Sequence, residues 1–200
     1  GVKNADYQSC GGDCNEKSSG CDIWIAGTYD STDFIVFYVT TDGGLTWNLV
    51  DANVAAQHGG NENAANIISS GAYTYFTVAD ISPSNTLYVY KTSNASIIAD
   101  NADSTEVFHL ANALIYDISE SDNYIWLGGG LTGNSFIVAV NKSTNEVTQI
   151  YNTSSDEIIG IYAYDDDNVV AVGQNGVVLY STTFGIFTAT TTRPTTSECS

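Results

Sequence analysis

The sequence predicts an all-β fold built from about four similar units of short strands. The composition favours strands, because Val, Ile, Thr, Tyr and Phe are plentiful while Pro occurs only twice. A pattern of short apolar runs separated by turns also recurs along the chain. With 200 residues, of which 43% are hydrophobic, the chain can bury the core of one domain.

Each unit is recognised by a short apolar segment followed by a second and a third strand. The first segments are IWIAG at Ile23, TYFTV at Thr74, IWLGG at Ile125 and VVAVG at Val169. The second are FIVFYVTT, LYVYKT, FIVAVNKST and VVLYSTT, and the third are LTWNLVD, ASIIAD, NEVTQIYN and GIFTATTT. A further strand precedes the third and fourth units, ALIYDIS and IIGIYAYD. Four short strands repeated about every 45 to 50 residues are typical of a β-propeller blade.

The apolar runs predict sheets that are covered on both faces. Residues 34–38, FIVFY, are continuously apolar, whereas a strand buried on one face alternates. A β-sandwich is the alternative fold, which explains the strands but not the repeat. Four blades either close into a ring or form an arc of a larger propeller. We expect a cysteine-rich segment over residues 1–21, blades over 22–192 and a tail over 193–200.

The charge excludes some partners. Asp and Glu number 23 against 5 Lys and Arg, which gives a net charge of −18. Nucleic acids and anionic membrane surfaces attract clustered Lys and Arg, so neither is an expected partner. The sequence has no apolar run of about 20 residues, the length of a membrane span, so membrane insertion is not expected.

The cysteines favour an oxidising, extracellular environment. Cys10, Cys14 and Cys21 lie in CGGDCNEKSSGC, and Cys199 lies near the other end of the sequence. No histidine lies near the cluster, and a zinc site usually has closer C-x-x-C pairs, so we favour disulfides over a metal. One bridge within the cluster and one to Cys199 would tie the ends together, but the spacing does not choose among the three pairings.

The segment TTDGGLTW resembles the Asp-box, or BNR repeat, at Thr40, Asp42, Gly44, Thr46 and Trp47. The Asp carboxylate can accept N–H bonds across the turn, Gly can adopt a positive φ, and the Trp ring can pack beneath the hairpin.

A degenerate copy, STTFGIF at Ser181–Phe187, keeps Ser181 and Gly185 but has Thr183 in place of the Asp. The resemblance implies a β-propeller. It does not fix the function, because Asp-box propellers include sialidases, other glycosidases, receptors and phage or cell-surface proteins.

No catalytic constellation stands out. Sialidases hold their substrate with three arginines, and this chain has only Arg193. The candidates for a glycosidase carboxylate pair are Asp22, Asp80, Asp117 and the run Asp165–Asp167, which we interpret as turn formers or surface residues. We considered calcium at Tyr164–Asn168 and favour a solvated turn. His58, in a loop, and His109, in a strand, are interpreted as structural. We expect no catalytic residue, metal or cofactor.

These features predict a non-catalytic structural and binding module outside the cell or on a virion surface. Its partner would be a protein or glycan at a propeller face, or further copies in a homo-oligomer, phage tail, capsid or filament. The alternative is a carbohydrate-active enzyme, a glycoside hydrolase or a fragment of one, with a carboxylate pair facing a pocket.

Overall fold

The chain is all-β, with fifteen strands in the residues that a computed structural model describes. These residues are 23–28, 35–42, 44–54, 62–80, 86–131, 134–154 and 157–189. The chain divides into two compact units, Gly1–Leu114 and Ile115–Ser200. The described strands form four antiparallel sheets, numbered here along the chain as sheets 1 to 4.

Sheets 1 and 2 belong to the first compact unit. The described part of sheet 1 has three strands, β1 (Ile23–Thr28), β2 (Ile35–Thr40) and β3 (Asn48–Asp51). Sheet 2 has four strands, β4 (Glu62–Ser70), β5 (Tyr73–Asp80), β6 (Thr86–Ser93) and β7 (Thr105–Ala111). A short helix, α1 (Asn94–Ile98), connects β6 to β7.

Sheets 3 and 4 belong to the second unit, whose boundary falls near the start of β8. Sheet 3 contains β8 (Ala113–Glu120), β9 (Tyr124–Leu131), β10 (Asn134–Asn141) and β11 (Val147–Ser154). Sheet 4 contains β12 (Ile158–Ala163), β13 (Asn168–Gly173), β14 (Val178–Thr182) and β15 (Phe187–Ala189).

Every sheet is a meander, because the order of its strands follows the order of the sequence. The apolar segments that define the units fall on β1, β5, β9 and β13, and the second runs fall on β2, β6, β10 and β14. The prediction of an all-β chain with four strand units is therefore confirmed. The cysteine-rich segment, residues 1–21, and the tail, residues 193–200, lie outside the described residues.

One predicted strand is wrong. The segment ASIIAD begins within α1, where the Ser93 side chain caps the helix by accepting a hydrogen bond from the Ser96 N–H at 3.3 Å. Ile97 is the buried residue of this helix. The fourth strand of sheet 2 is instead β7, which also contains His109, as predicted for that residue.

Sheets pack face to face within each unit. In the first unit Ile35, Phe37 and Val39 of sheet 1 share a buried cluster with Phe76 and Tyr90 of sheet 2, among other residues. The Phe37 and Phe76 rings meet edge to face, with centroids 5.2 Å apart. Burial of these side chains provides the main driving force for joining the two sheets.

In the second unit, Trp126 is the largest fully buried side chain. Its ring lies 5.6 Å from Phe184 and 6.4 Å from Phe187, between centroids. Gly128 lies at a close approach of sheet 3 to sheet 4, since a Cβ there would lie 2.7 Å from Cγ2 of Ile158. Only a glycine permits this spacing without displacing a neighbour.

Polar side chains also join these two sheets along their first strands. Both β8 and β12 are edge strands, which leave backbone N–H groups without a ladder partner. Asp117 Oδ2 accepts the Ile161 N–H at 2.8 Å, and Ser119 Oγ accepts the Ala163 N–H at 3.0 Å. Two side chains of β8 thus satisfy the free edge of β12.

The prediction that both faces of the sheets are covered holds for β10 but is wrong for sheet 4. Six consecutive residues of β10 are buried, whereas burial alternates along β13. Burial alternates in sheet 4 because one of its faces packs on sheet 3 and the other is exposed to solvent.

Candidate functional site

The turn between β2 and β3, residues 40–47, is fixed by a network of polar bonds. Thr40, the last residue of β2, is fully buried, and its hydroxyl donates to Asp42 Oδ1 at 2.7 Å. The same hydroxyl oxygen accepts the Gly44 N–H at 2.9 Å. Gly44 has a φ of +93°, a conformation that side chains other than glycine rarely adopt.

The Asp42 carboxylate closes the other half of this turn. Its Oδ1 accepts the Thr46 N–H at 2.9 Å, and its Oδ2 accepts the Thr46 hydroxyl at 2.6 Å. These two bonds from Thr46, followed by the Thr40 hydroxyl, lower the pKa of Asp42 from 3.8 to about 2. The carboxylate is therefore ionised at neutral pH and acts as an acceptor that shapes the turn.

Trp47 is less buried than predicted. Its side chain is 43% exposed, although the ring edge lies against Gly44, 3.9 Å from where a Cβ would stand. Leu45 at the tip of the turn is 86% exposed. The described turn therefore presents apolar surface to solvent instead of placing the whole Trp ring in the core.

The predicted degenerate copy, Ser181–Phe187, forms a related turn between β14 and β15. Ser181 is buried and donates its hydroxyl to the Thr183 carbonyl at 2.6 Å. Gly185 has a φ of +76°. The carboxylate that this turn lacks comes from another turn of the same sheet, since Asp167 Oδ1 accepts the Phe184 N–H at 2.8 Å.

A third turn of this kind lies between β10 and β11, where the sequence retains no Asp-box. Asn141 Oδ1 accepts the N–H groups of Ser143 and Thr144, both at 3.0 Å. Asn145 has a φ of +59°, four residues after Asn141, just as Gly44 follows Thr40. The turns between β2 and β3, β10 and β11, and β14 and β15 thus share a polar residue at or next to the end of the preceding strand and a residue of positive φ four positions later.

The described acidic candidates are all engaged in structural hydrogen bonds. Asp117 and Asp167 hold backbone N–H groups, as described above. Asp165 Oδ1 accepts the Asn168 N–H at 2.6 Å, and the bonds from the backbone and side chain of Asn168 lower its pKa. Asp22 and the side chain of Asp80 lie outside the described residues.

Asp166, in the turn between β12 and β13, bridges sheets 3 and 4 through hydrogen bonds to the turn between β8 and β9. Its Oδ1 accepts the Ser121 hydroxyl at 2.6 Å, and its Oδ2 accepts the Asn123 amide at 2.6 Å. Burial raises the pKa of Asp166, but the bonds from Ser121 and Asn123, together with the charge of Lys142, lower it overall. The same Ser121 oxygen accepts Trp126 Nε1–H at 3.0 Å, which links this carboxylate to the core.

The remaining candidates do not form a site in the described part of the chain. His109 is exposed and lies 2.8 Å from Glu106 Oε1 on the same strand, so it is a surface residue. Three or more potential metal ligands come together nowhere among the described residues. His58, Arg193 and Cys10, Cys14, Cys21 and Cys199 lie outside them, so the disulfides stay a prediction.

Sequence reasoning missed an apolar surface on sheet 4. Tyr162, Val170, Val172 and Tyr180 are between 40% and 65% exposed and point away from sheet 3. The run NVVAVG carries no sign of this exposure, because it is as continuously apolar as a strand buried on both faces.

Comparisons with known proteins do not assign the chain to a family. The chain matches no model of a protein family and no curated protein sequence. In the described residues, no helix is both long and apolar enough to span a membrane.

Proposed function

We propose that the chain is a β-propeller module of the Asp-box type that acts as a non-catalytic structural and binding part of an extracellular or virion-surface assembly. Four consecutive antiparallel meanders, with three described strands in sheet 1 and four in each of the others, support the propeller. The turn that recurs between β2 and β3, β10 and β11, and β14 and β15 supports a common unit, since a β-sandwich does not require it. The join between the first strands of sheets 3 and 4 is the kind of contact that neighbouring blades make near a propeller axis.

The non-catalytic role is supported by one observation, that the described acidic candidates accept structural hydrogen bonds. Each of the four accepts hydrogen bonds that stabilise the structure. Asp117 and Asp166 join sheet 3 to sheet 4, and Asp165 and Asp167 stabilise turns of sheet 4. A glycosidase needs one carboxylic acid with a raised pKa and a second carboxylate facing it across the substrate. The lowered pKa of Asp165 and that of Asp166 fit anchoring carboxylates instead of a proton donor.

The proposed location and partners follow from charge and exposed side chains. A net charge of −18 suits a soluble surface protein, and the four cysteines suit an oxidising environment. Exposed Leu45, Trp47 and Leu49 offer apolar and aromatic contacts at the Asp42 turn. Such contacts are typical of protein interfaces and of sugar stacking.

The test compares binding with turnover on the same preparation. The full chain is applied to a glycan array and is assayed against a panel of chromogenic glycosides. The proposal predicts retention of a protein or glycan ligand with no release of chromophore. Asp117→Asn and Asp166→Asn are assayed beside Asp122→Asn, an exposed control. Hydrolysis that either of the first two abolishes, with the fold intact by circular dichroism and the control active, would establish a glycosidase.

A further inference from the structure

One face of sheet 4 is open to solvent along β13, one of its two central strands. Val169 and Ala171 of β13 point into the core and are fully buried. Val170 and Val172, which alternate with them, are 46% and 40% exposed. A strand with this alternation has one covered face and one free face.

The free face is apolar across three strands. Val170 lies opposite Tyr162 on β12 and opposite Tyr180 on β14, which makes one row. Val172 lies opposite Gly160 and Val178, which makes the next row. Tyr162 is 65% exposed, so the row is accessible at its β12 end as well. A contiguous apolar patch of this kind marks an interaction surface on a soluble protein.

The free face is also uncharged, in a chain that is strongly acidic. Its positions, by strand alternation and register, are Gly160, Tyr162, Asn168, Val170, Val172, Val178, Tyr180, Thr182 and Thr188. None of these residues is Asp, Glu, Lys or Arg, although the chain has 23 acidic residues. Two described carboxylates border the face and are already hydrogen-bonded. Asp117, at the β12 edge, accepts the Ile161 N–H, and Asp165, in the turn between β12 and β13, accepts the Asn168 side-chain amide at 2.8 and 2.9 Å.

We propose that this outer face of sheet 4 binds the same face of a second copy of the chain. Two chains of charge −18 repel, so a close contact between them is favoured where neither brings a carboxylate. In an isologous interface, the same surface of both copies meets across a two-fold axis, so it must be complementary to itself. The uncharged rows of this face meet that requirement. A basic partner finds no carboxylate within the central rows of this face, because Asp117 and Asp165 lie at its border and are already hydrogen-bonded. The opposite face of sheet 4 already packs on sheet 3 through apolar side chains, and face-to-face packing of two sheets is a common arrangement.

This proposal names a partner for the binding role proposed above. It rests on that role in one respect, that the chain is part of an assembly. The mass of the full chain is measured by sedimentation over a range of concentrations. A reductant is present, so that cysteine cross-links do not contribute to the mass. We expect a reversible dimer, and a chain that remains monomeric at every concentration would overturn the proposal.

Charge variants locate the interface. Val170→Glu places an unpaired carboxylate at the centre of the face, and we expect it to raise the dissociation constant about tenfold or more. Val147→Glu is the matched control, because Val147 is also a strand valine and is 38% exposed on sheet 3. Tyr162→Glu is a second test at a more exposed site, where folding is less at risk, and circular dichroism checks each variant. Equal dimerisation of all the variants would place the interface elsewhere.

Salt separates this interface from one built on ion pairs. Because screening weakens the repulsion between two acidic chains, we expect added salt to lower the dissociation constant of the dimer. A dimer that salt dissociates would contradict the uncharged contact. Failure of the dimer leaves the glycan and turnover measurements unaffected, so the two proposals fail separately.

Discussion

Sheets 3 and 4 have the same strand order and share one core, yet their central strands differ in how many faces are covered. Six consecutive residues of β10 in sheet 3 are buried, whereas burial alternates along β13 in sheet 4. The sequences SFIVAV and NVVAV are similarly apolar. The repeat therefore determines where strands form, while the elements packed on each sheet determine which side chains the strands bury.

The largest effect is expected at the core that the two sheets share. Trp126 is fully buried in sheet 3 and contacts Phe184 and Phe187 of sheet 4. We expect Trp126→Ala to lower the free energy of unfolding by about 3–5 kcal/mol, measured by urea denaturation. Tyr164→Ala, at a side chain that is 78% exposed, is the control and should change it by less than about 0.5 kcal/mol. Similar losses in both variants would contradict the assigned core.

The close approach of the two sheets predicts a difference between two glycines of β9. A Cβ at Gly128 would lie 2.7 Å from Cγ2 of Ile158, a fully buried side chain. A Cβ at Gly130 would meet Glu157, whose partly exposed side chain can move aside. We expect Gly128→Ala to cost about 2–3 kcal/mol in urea denaturation, and Gly130→Ala to cost less. Equal costs would mean that the two sheets are not in contact at Gly128.

One matched substitution measures the difference between the sheets directly. Val138→Ala, at a buried site of β10, should lower the free energy of unfolding by about 1–2 kcal/mol, from the loss of two methyl groups. Val170→Ala, at a half-exposed site of β13, should cost clearly less. The measurement needs dilute protein, because association would add to the apparent stability. A larger loss at Val170 would show that the outer face of sheet 4 is covered within one chain.

The smallest effect is expected at a turn that has its own carboxylate. The pKa of Asp42 is about 2 in the folded chain, below its ordinary value of 3.8. Its contribution to stability is therefore present above about pH 4 and is lost as the pH falls towards 2. Thr46→Val removes the hydroxyl bond and keeps the backbone N–H, so the pKa should rise towards 3.8. Carboxyl-carbon NMR of Asp42 measures both values, and a native midpoint near 3.8 would contradict the bonded turn.

Much of the fold was predictable because it follows from local patterns. The apolar runs place the strands of sheets 3 and 4, and a turn separates each pair. The bonds of Asp42 follow from the spacing of Thr40 and Thr46, since residues two and four positions apart meet in a tight turn.

The rest depended on tertiary contacts. Helix α1 replaces a strand because the Ser93 cap and the buried Ile97 outweigh the β-branched residues of ASIIAD. Asp167 reaches the turn at Phe184 from 17 residues away in sequence, which no local pattern reports. The exposure of Val170 depends on what lies beyond sheet 4, and the strand itself does not encode it.

Hydroxyl-radical footprinting of the full chain in dilute solution, read by mass spectrometry, tests the open face of sheet 4 most directly. Tyr162 and Tyr180 report on that face, Tyr75 and Tyr90 are buried references, and Tyr164 is an exposed reference. We predict that Tyr162 and Tyr180 are modified much faster than Tyr75 and Tyr90, at rates approaching that of Tyr164. Modification of Tyr162 and Tyr180 as slow as that of Tyr75 would show that both faces of sheet 4 are covered, and the distinction between sheets 3 and 4 would be lost.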